Sequence, residues 1–174
     1  MFSPAYSEEQ HALVETARKF VAENIIPVAG EYDERAEMPI EIFKAAWELG
    51  LMNVELPESV GGLDFGCVDG CLIAEELAYG CAAIGTSIMC NHLGALPLMI
   101  AGTPEQKEHW LGKLVNEFGF VSYCCSEPEA GSDVASMRTR LTKDGEGWNL
   151  SGQKRWITDA AYTDIYTGFA TIDP

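Results

Sequence analysis

The segment YCCSEPEAGSD, from Tyr123 to Asp133, places small residues, a proline and two serines directly behind the apolar run FGFVSY. This composition favours a turn that exposes several backbone N–H groups, with the Ser126 and Ser132 hydroxyls as further donors. Donors grouped in this way can hold the negative edge of a phosphate or a cofactor. From composition alone, a solvent-exposed turn remains the simpler interpretation.

A second segment, QKRWIT, follows some twenty residues later. Read as a strand, its two-residue alternation places Trp156 and Thr158 on one face, so a flat apolar surface and a hydroxyl point the same way. A planar heteroaromatic ring could lie against the first and hydrogen-bond to the second. A core tryptophan beside a threonine with high strand propensity is the alternative interpretation.

Composition narrows the class of partner. The formal net charge of -16 disfavours nucleic acid and anionic membranes, which would be repelled at long range. No basic, apolar signal sequence opens the chain, and apolar stretches such as ALPLMIAG are too short to span a bilayer. We therefore expect a soluble protein, either cytoplasmic in a bacterium or located in the mitochondrial matrix after removal of a transit peptide.

The six cysteines and three histidines give no disulfide or metal signature. Without a secretion signal, reduced thiols are the better interpretation of the cysteines. No C-x-x-C pair is present, and the histidines are scattered without ligand spacing, so we expect no metal site.

Helix start and stop signals fill the first two thirds of the chain. In SEEQHALVETARKFVAENII, Ser7 and Gln10 form a predicted capping box, and Pro27 bends or ends the helix. A second helix is predicted from Ile40 to Leu49. Three more are predicted after a glycine-rich loop: VDGCLIAEELAYG, CAAIGTSIMCNHLGALPLMIAG and TPEQKEHWLGKLVNEF, whose first residues form a second capping box. The middle one carries no charged residue and is predicted to be buried on most sides.

The pattern changes near residue 118. Three segments are predicted to be extended: FVSY as a strand, RTRLTKDGEGWNLSGQKRWIT as a hairpin with its turn at DGEG, and DIYTGFATI as a strand. A helical domain of residues 1–117 therefore precedes a β domain of residues 118–174. A sheet of about four strands would leave an apolar face and unpaired edges, so we expect the β domain to be incomplete in this chain.

Taken together in chain order, these segments resemble the acyl-CoA dehydrogenases, medium-chain type. YCCSEPEAGSD and SGQKRWIT are similar to the paired flavin signatures of that family, which run close to Y-C-x-T-E-P-x-A-G-S-D and G-x-K-x-W-I-T-N. Further similar segments precede them: ARKF, IIPVA-x-EYD, AWELGLMN, PE-x-x-GGL, EELAYGC and NHLG-x-x-P.

The resemblance implies an α+β chain: an all-helical N-terminal bundle followed by the first strands of a β-barrel-like middle domain, with the C-terminal helical domain absent. It also implies FAD as cofactor and a fatty acyl-CoA thioester as substrate. In that reaction the α proton is removed, the β hydrogen passes as hydride to the flavin, and an electron-transfer flavoprotein takes the electrons. Family members form dimers and tetramers, so a homo-oligomer is expected.

Site residues are implied by the same resemblance. The flavin-binding positions are Tyr123, Cys124, Cys125, Ser126, Gly131, Ser132, Trp156, Ile157 and Thr158. Ser132 would also face the substrate, and the uncharged helix would line the acyl cavity with Thr86, Met89 and Leu93. An apolar stripe of this kind is equally typical of a helix that is simply packed in a core.

Departures from the family pattern leave alternatives open. Ser126 stands for the usual threonine, Asp159 for asparagine, and Met89 for the glutamate of many medium-chain members. The family's catalytic base is a glutamate of the C-terminal domain, so no catalytic residue is assigned in this chain, and Glu75, Glu76 and Glu127 are expected to be structural. An acyl-CoA oxidase or related flavoenzyme, and a non-catalytic truncated fragment, are the alternative interpretations.

Overall fold

The computed structural model describes residues 6–172, in which helices precede strands. The helices are α1 (Glu8–Phe20), α2 (Ala29–Arg35), α3 (Ile40–Glu48), α4 (Cys67–Gly80), α5 (Ala82–Ala101) and α6 (Pro104–Asn116). The strands are β1 (Val121–Cys124), β2 (Arg140–Asp144), β3 (Gly147–Ser151), β4 (Ile165–Gly168) and β5 (Thr171–Ile172). The predicted α+β class, with a helical part followed by small sheets, is confirmed.

Both predicted capping boxes are present. The Ser7 hydroxyl accepts from Gln10 N at 3.1 Å, and the Gln10 side chain accepts from Ser7 N at 3.1 Å. The same reciprocal pair opens α6. A π-helical turn, Val21–Ile25, continues α1, and the chain leaves the helix at Pro27 as predicted. The short helix α2 escaped prediction, because none of its residues is buried and no apolar stripe marks it.

The main core lies among α1, α3, α4 and α5. Its largest fully buried side chains include Ile25, Phe43, Ile73, Leu77 and Ile88. Two phenylalanine rings, Phe43 and Phe120, meet edge to face at 5.5 Å and join the helical core to the chain entering β1. A second, smaller core, formed by α5, α6, β1 and β4, fixes the strands against the helices.

Helix α5 is less enclosed than the sequence predicts. Its 20 residues have the length and hydropathy of a membrane-spanning helix, but only 39% of its most apolar window is buried within the described residues. The apolar length predicted from ALPLMIAG was too short, because the stretch without charged residues runs through all 20 residues of the helix. One side packs on α4, α6 and β1, and the buried polar side chain of Asn91 on that side is typical of a core helix. The other side borders a groove.

Two small sheets follow the helices. In the first, β1 and β4 pair in parallel, with Val121 opposite Ile165. In the second, β2 lies between β3, its antiparallel hairpin partner, and β5, which is parallel. The hairpin turns at DGEG as predicted, with Gly145 at φ +59°, which glycine adopts without strain. The segment DIYTGFATI is therefore not one strand, because β4 and β5 belong to different sheets.

The predicted strand through QKRWIT is wrong. After β3 the chain leaves the sheet, and Lys154 and Arg155 instead bond to the loop that follows β1. Trp156 adopts φ +60° and Asp159 φ +59°, both in the left-handed region, so the residues between them form a turn. Alternation along a strand therefore cannot be the reason why Trp156 and Thr158 share a site.

Candidate functional site

The loop after β1 is a defined tight turn. Glu127 N donates to Ala130 O at 2.9 Å, and Ala130 N donates to Glu127 O at 3.3 Å. One residue earlier, Ser126 O accepts from Arg155 N at 2.9 Å. These bonds fasten the loop to itself and to the segment that precedes Trp156, so the two sequence signatures form one structural unit.

Glu127 anchors this unit from the inside. Its side chain is 3% exposed and accepts from Lys154 Nζ at 2.8 Å. It also accepts from the backbone N–H groups of Arg138 at 2.6 Å and Thr139 at 3.0 Å. These donors, Lys154 foremost, lower the pKa of Glu127 to about 2. The expectation that Glu127 is structural agrees with these contacts, whereas nothing in the sequence singled out Lys154.

The predicted flavin residues of the loop divide into buried and exposed groups. Cys124 and Cys125 are buried, and Tyr123 packs edge to face on Phe169 at 5.1 Å, so these side chains support the loop. Burial raises the pKa of the Tyr123 hydroxyl and of the Cys124 thiol, which keeps both neutral. Gly131 and Ser132 are exposed and Ser126 is half-buried.

Several hydrogen-bond donors of this loop have no protein partner in the described part of the chain. They are the hydroxyls of Ser126 and Ser132 and the backbone N–H groups of Gly131 and Ser132. Gly131 and Ser132 are exposed, on a loop whose inner side is fixed by Glu127. The arrangement can therefore receive an anionic or carbonyl-rich edge without rearranging its own bonds.

The turn that follows presents an aromatic surface. Trp156 is 80% exposed, and the Arg155 guanidinium lies 4.7 Å from its ring centre. The turn is tied to β1 because Ser122 Oγ donates to Thr158 O at 2.7 Å and lies 2.5 Å from Thr163 Oγ1. An exposed tryptophan held in this way offers a flat face to a planar ligand.

Thr158 lies in a groove of about 310 Å³ together with three residues predicted to line an acyl cavity, Thr86, Met89 and Leu93. Among residues 6–172, the rest of its lining is Ala74, Ala78, Gly85 and Cys90, and none of these lining residues is charged. Most of its wall is apolar, and the α4 wall is shallow because both residues there are alanines. The structure thus brings three of the four predicted substrate residues and one predicted flavin residue to a single place, whereas Ser132 does not line this groove.

A close approach of α5 to β1 aligns this groove with the loop. Asn91 Oδ1 accepts from Val121 N at 2.8 Å, and its Nδ2 donates to Gly119 O at 2.9 Å and to Asn53 Oδ1 at 3.0 Å. Gly94 permits the contact, because a Cβ there would lie 2.6 Å from Val121 O. The importance of this junction was not predicted from the sequence, although Asn91 and Gly94 stand in the quoted segment NHLG.

Asp159 adjoins the groove with an incompletely paired carboxylate. Its Oδ2 atom is buried and has no hydrogen-bond partner among the described residues. Burial raises the pKa of Asp159, and the Ser87 side chain opposes that shift only in part. The pKa of the neighbouring Cys90 thiol is raised by burial and by the charge of Asp159.

Asp159→Asn is expected to stabilise the folded chain by about 1 kcal/mol near neutral pH. The pKa of Asp159 is raised in the folded state, so its charged carboxylate lowers the free energy of unfolding when the pH is above that raised pKa. This destabilisation disappears when the pH is below the ordinary pKa of aspartate. The gain over the native chain should therefore shrink as the pH falls to about 4. Urea unfolding of both proteins at the two pH values measures the difference. Asparagine tolerates the left-handed backbone, and an equal gain at both pH values would contradict this assignment.

Family models match most of the chain. The N-terminal domain model of acyl-CoA dehydrogenase matches residues 7–117, and the middle domain model matches residues 122–173. The chain belongs to the acyl-CoA dehydrogenase family. It spans less than half the length of the family relatives named next.

Named relatives and solved structures support this family membership. A probable medium-chain specific acyl-CoA dehydrogenase 2, mitochondrial, from Caenorhabditis briggsae, is 39% identical over 97% of this chain and 41% of its own length. The butyryl-CoA dehydrogenase of Megasphaera elsdenii superposes with a TM-score of 0.90 at 29% identity, over 99% of this chain and 46% of that one. An acyl-CoA dehydrogenase of Bacillus anthracis complexed with FAD superposes with a TM-score of 0.90 at 31% identity, over 99% of this chain and 30% of that one.

The site of this family member fits a flavin in chemistry. The unpartnered loop donors suit the polar edge and phosphates of such a cofactor, and exposed Trp156 suits its ring. Thr158, two residues after Trp156, lines the apolar groove.

Proposed function

We propose that this chain supplies the flavin face and part of the acyl face of an FAD-dependent acyl-CoA dehydrogenase acting on a medium-chain fatty acyl-CoA. The observation that supports this most strongly is the groove in which Thr158 of the flavin-side turn meets Thr86, Met89 and Leu93 of α5. FAD, when bound, would accept the hydride released from the β carbon. The electrons would then leave through an electron-transfer flavoprotein.

The residues of this chain would bind and orient in that reaction. Ser126 and backbone donors of the loop would hold the polar edge of the cofactor ring, where preorganised donors favour acceptance of negative charge. Ser132 would face the FAD pyrophosphate and the pantetheine end of the acyl-CoA. The apolar groove would hold the alkyl chain and exclude water from it.

The proton-abstracting base would come from another part of the protein. The groove lining within residues 6–172 contains no carboxylate, and Glu127 is occupied by Lys154 and two backbone donors. We therefore also propose that residues 1–174 alone do not turn over acyl-CoA. The domain boundary is proposed between residues 117 and 118, the assembly as a dimer or tetramer, and the location as bacterial cytoplasm or mitochondrial matrix.

Met89→Trp is expected to move substrate preference toward shorter acyl chains. Met89 lies on the wall of the groove, and an indole there would fill much of its width. Excluding a single methylene from an apolar pocket changes discrimination by about 1–3 kcal/mol, so the loss of even one methylene contact should cost octanoyl-CoA about tenfold or more in affinity relative to butyryl-CoA. Competition binding with the two thioesters measures this ratio. An unchanged ratio would place the alkyl chain elsewhere.

The function is tested with the complete protein loaded with FAD. Anaerobic addition of octanoyl-CoA should bleach the flavin absorbance and form the α,β-unsaturated thioester. A flavin that stays oxidised would contradict dehydrogenation. Admission of air then separates the alternatives, because rapid peroxide formation would indicate an oxidase, whereas slow reoxidation, accelerated by an electron-transfer flavoprotein, supports a dehydrogenase.

A further inference from the structure

Two cysteines of α4, Cys67 and Cys71, lie one helical turn apart. Both are exposed free thiols. The i, i+4 spacing on α4 places the two side chains next to each other on one face of the helix. The charge of Cys67, and then a hydrogen bond that the Cys71 thiol donates to it, raise the pKa of Cys71. The flavin and acyl residues described above do not use either thiol.

The pair continues the α4 wall of the groove. Spacings of four, three and four residues place four small side chains on one face of the helix: Cys67, Cys71, Ala74 and Ala78. Ala74 and Ala78 line the groove. Cys71 lies about 4.5 Å before Ala74 along the helix axis, so the thiols stand next to the end of the groove.

A disulfide does not suit this spacing. The Cβ atoms of residues four apart on a helix are about 5–6 Å from each other. A disulfide requires a Cβ separation of about 3.5–4.5 Å, so the first turn of α4 would have to distort. A single soft atom bonded to both sulfurs spans a longer gap than a direct sulfur–sulfur bond, and soft centres prefer thiolate ligands.

We propose that Cys67 and Cys71 form a dithiol site for a soft thiophilic centre, with trivalent arsenicals as the chemical class that it binds. With phenylarsine oxide in its hydrated form, each thiolate sulfur forms one As–S bond and displaces one As–OH group. The two thiol protons leave with the two hydroxyl groups as water. Arsenic remains trivalent, and nothing is oxidised or reduced.

Two-point attachment gives this site selectivity over single thiols. Linked interactions strengthen binding by about 10²–10⁴-fold over one contact alone. An excess of a monothiol such as 2-mercaptoethanol should therefore strip arsenic from isolated cysteines and leave it on the pair. An occupied pair would place an aryl group beside Ala74, at the end of the groove.

The test is mass spectrometry of the full chain after phenylarsine oxide and excess 2-mercaptoethanol. We expect one C6H5As unit in place of two hydrogen atoms, and a loss of apparent affinity of about 100-fold in Cys67→Ser and in Cys71→Ser. Cys81→Ser, at the start of α5, should bind as the native chain does. Circular dichroism verifies that each variant is folded.

A spacing control keeps the number of cysteines constant. Cys71→Ser with Ala74→Cys separates the two thiols by about 10.5 Å along the axis, beyond the span of one bridging atom, and should not retain arsenic. Retention by this variant or by either single variant would overturn the proposal. Mapping of the adduct to Cys124 and Cys125, the adjacent buried pair, would also overturn it. Because no step involves flavin, the result is independent of the proposed function.

Discussion

Replacing Asn91 with alanine is expected to lower the free energy of unfolding by about 3 kcal/mol, because it leaves buried polar groups without partners. Asn91 is 1% exposed. Its side chain accepts a hydrogen bond from Val121 N and donates to Gly119 O and Asn53 Oδ1, at 2.8–3.0 Å. The loss of these bonds should loosen β1 from α5 and misplace the flavin loop relative to the groove. Urea unfolding followed by circular dichroism measures the change.

Asn24→Ala is the matched control. The Asn24 side chain is exposed and makes one hydrogen bond, to Phe20 O at 3.1 Å. Its removal should change stability by no more than about 0.5 kcal/mol. Asn91→Asp should not restore stability, because the oxygen that replaces Nδ2 would face two acceptors, Asn53 Oδ1 and Gly119 O, at 2.9–3.0 Å. A loss below about 1 kcal/mol in Asn91→Ala would contradict the role of this junction.

Replacing Glu127 with alanine is expected to weaken FAD binding by about 10–100-fold, the range seen when a group that orients a ligand-binding residue is removed. The carboxylate holds Lys154 and two backbone N–H groups behind the loop whose outer donors would meet the cofactor. Flavin fluorescence quenching in the complete protein gives the dissociation constant. Glu129→Gln, on the exposed side of the same turn, is the matched control and should bind normally.

Acid titration tests the same anchor in a second way. The folded-state pKa of Glu127 is about 2, below its ordinary value of 4.5, so its contribution is present above the ordinary value and is lost as the pH falls toward 2. The native chain should therefore lose stability more steeply in that window than Glu127→Gln does. Parallel curves for the two proteins would contradict the anchoring role.

Several local features of the fold were predicted correctly from short sequence patterns. Capping boxes at Ser7 and Thr103 and the DGEG turn are decided by neighbours in sequence, and each appears as predicted. The strand through Trp156 failed because its shape is set by distant contacts, Lys154 with Cys125 and Ser122 with Thr158. No alternation pattern could reveal those bonds.

The site was predictable as a set of segments but not as a geometry. The two signatures and the α5 stripe indicated which residues to expect, yet only the fold shows Thr158 beside Met89. Supporting residues left little trace, because a buried glutamate such as Glu127 resembles a surface residue in sequence. The sequence does not mark Asn91 either, because its side chain stabilises the fold by bonding to two backbone groups about thirty residues later in the chain.

The most direct test of where the acyl chain lies is photo-crosslinking with an octanoyl-CoA analogue that carries a diazirine at the end of its chain, bound to the complete FAD-loaded protein. We expect cross-links in the segment from Thr86 to Leu93 or at Ala74 and Ala78, which form the groove beside Thr158. A larger groove of about 560 Å³ lies between α2 and the start of α5, and its rim carries Asp33 and Glu37. Cross-links at that second groove, with none near Met89, would contradict the proposed acyl site.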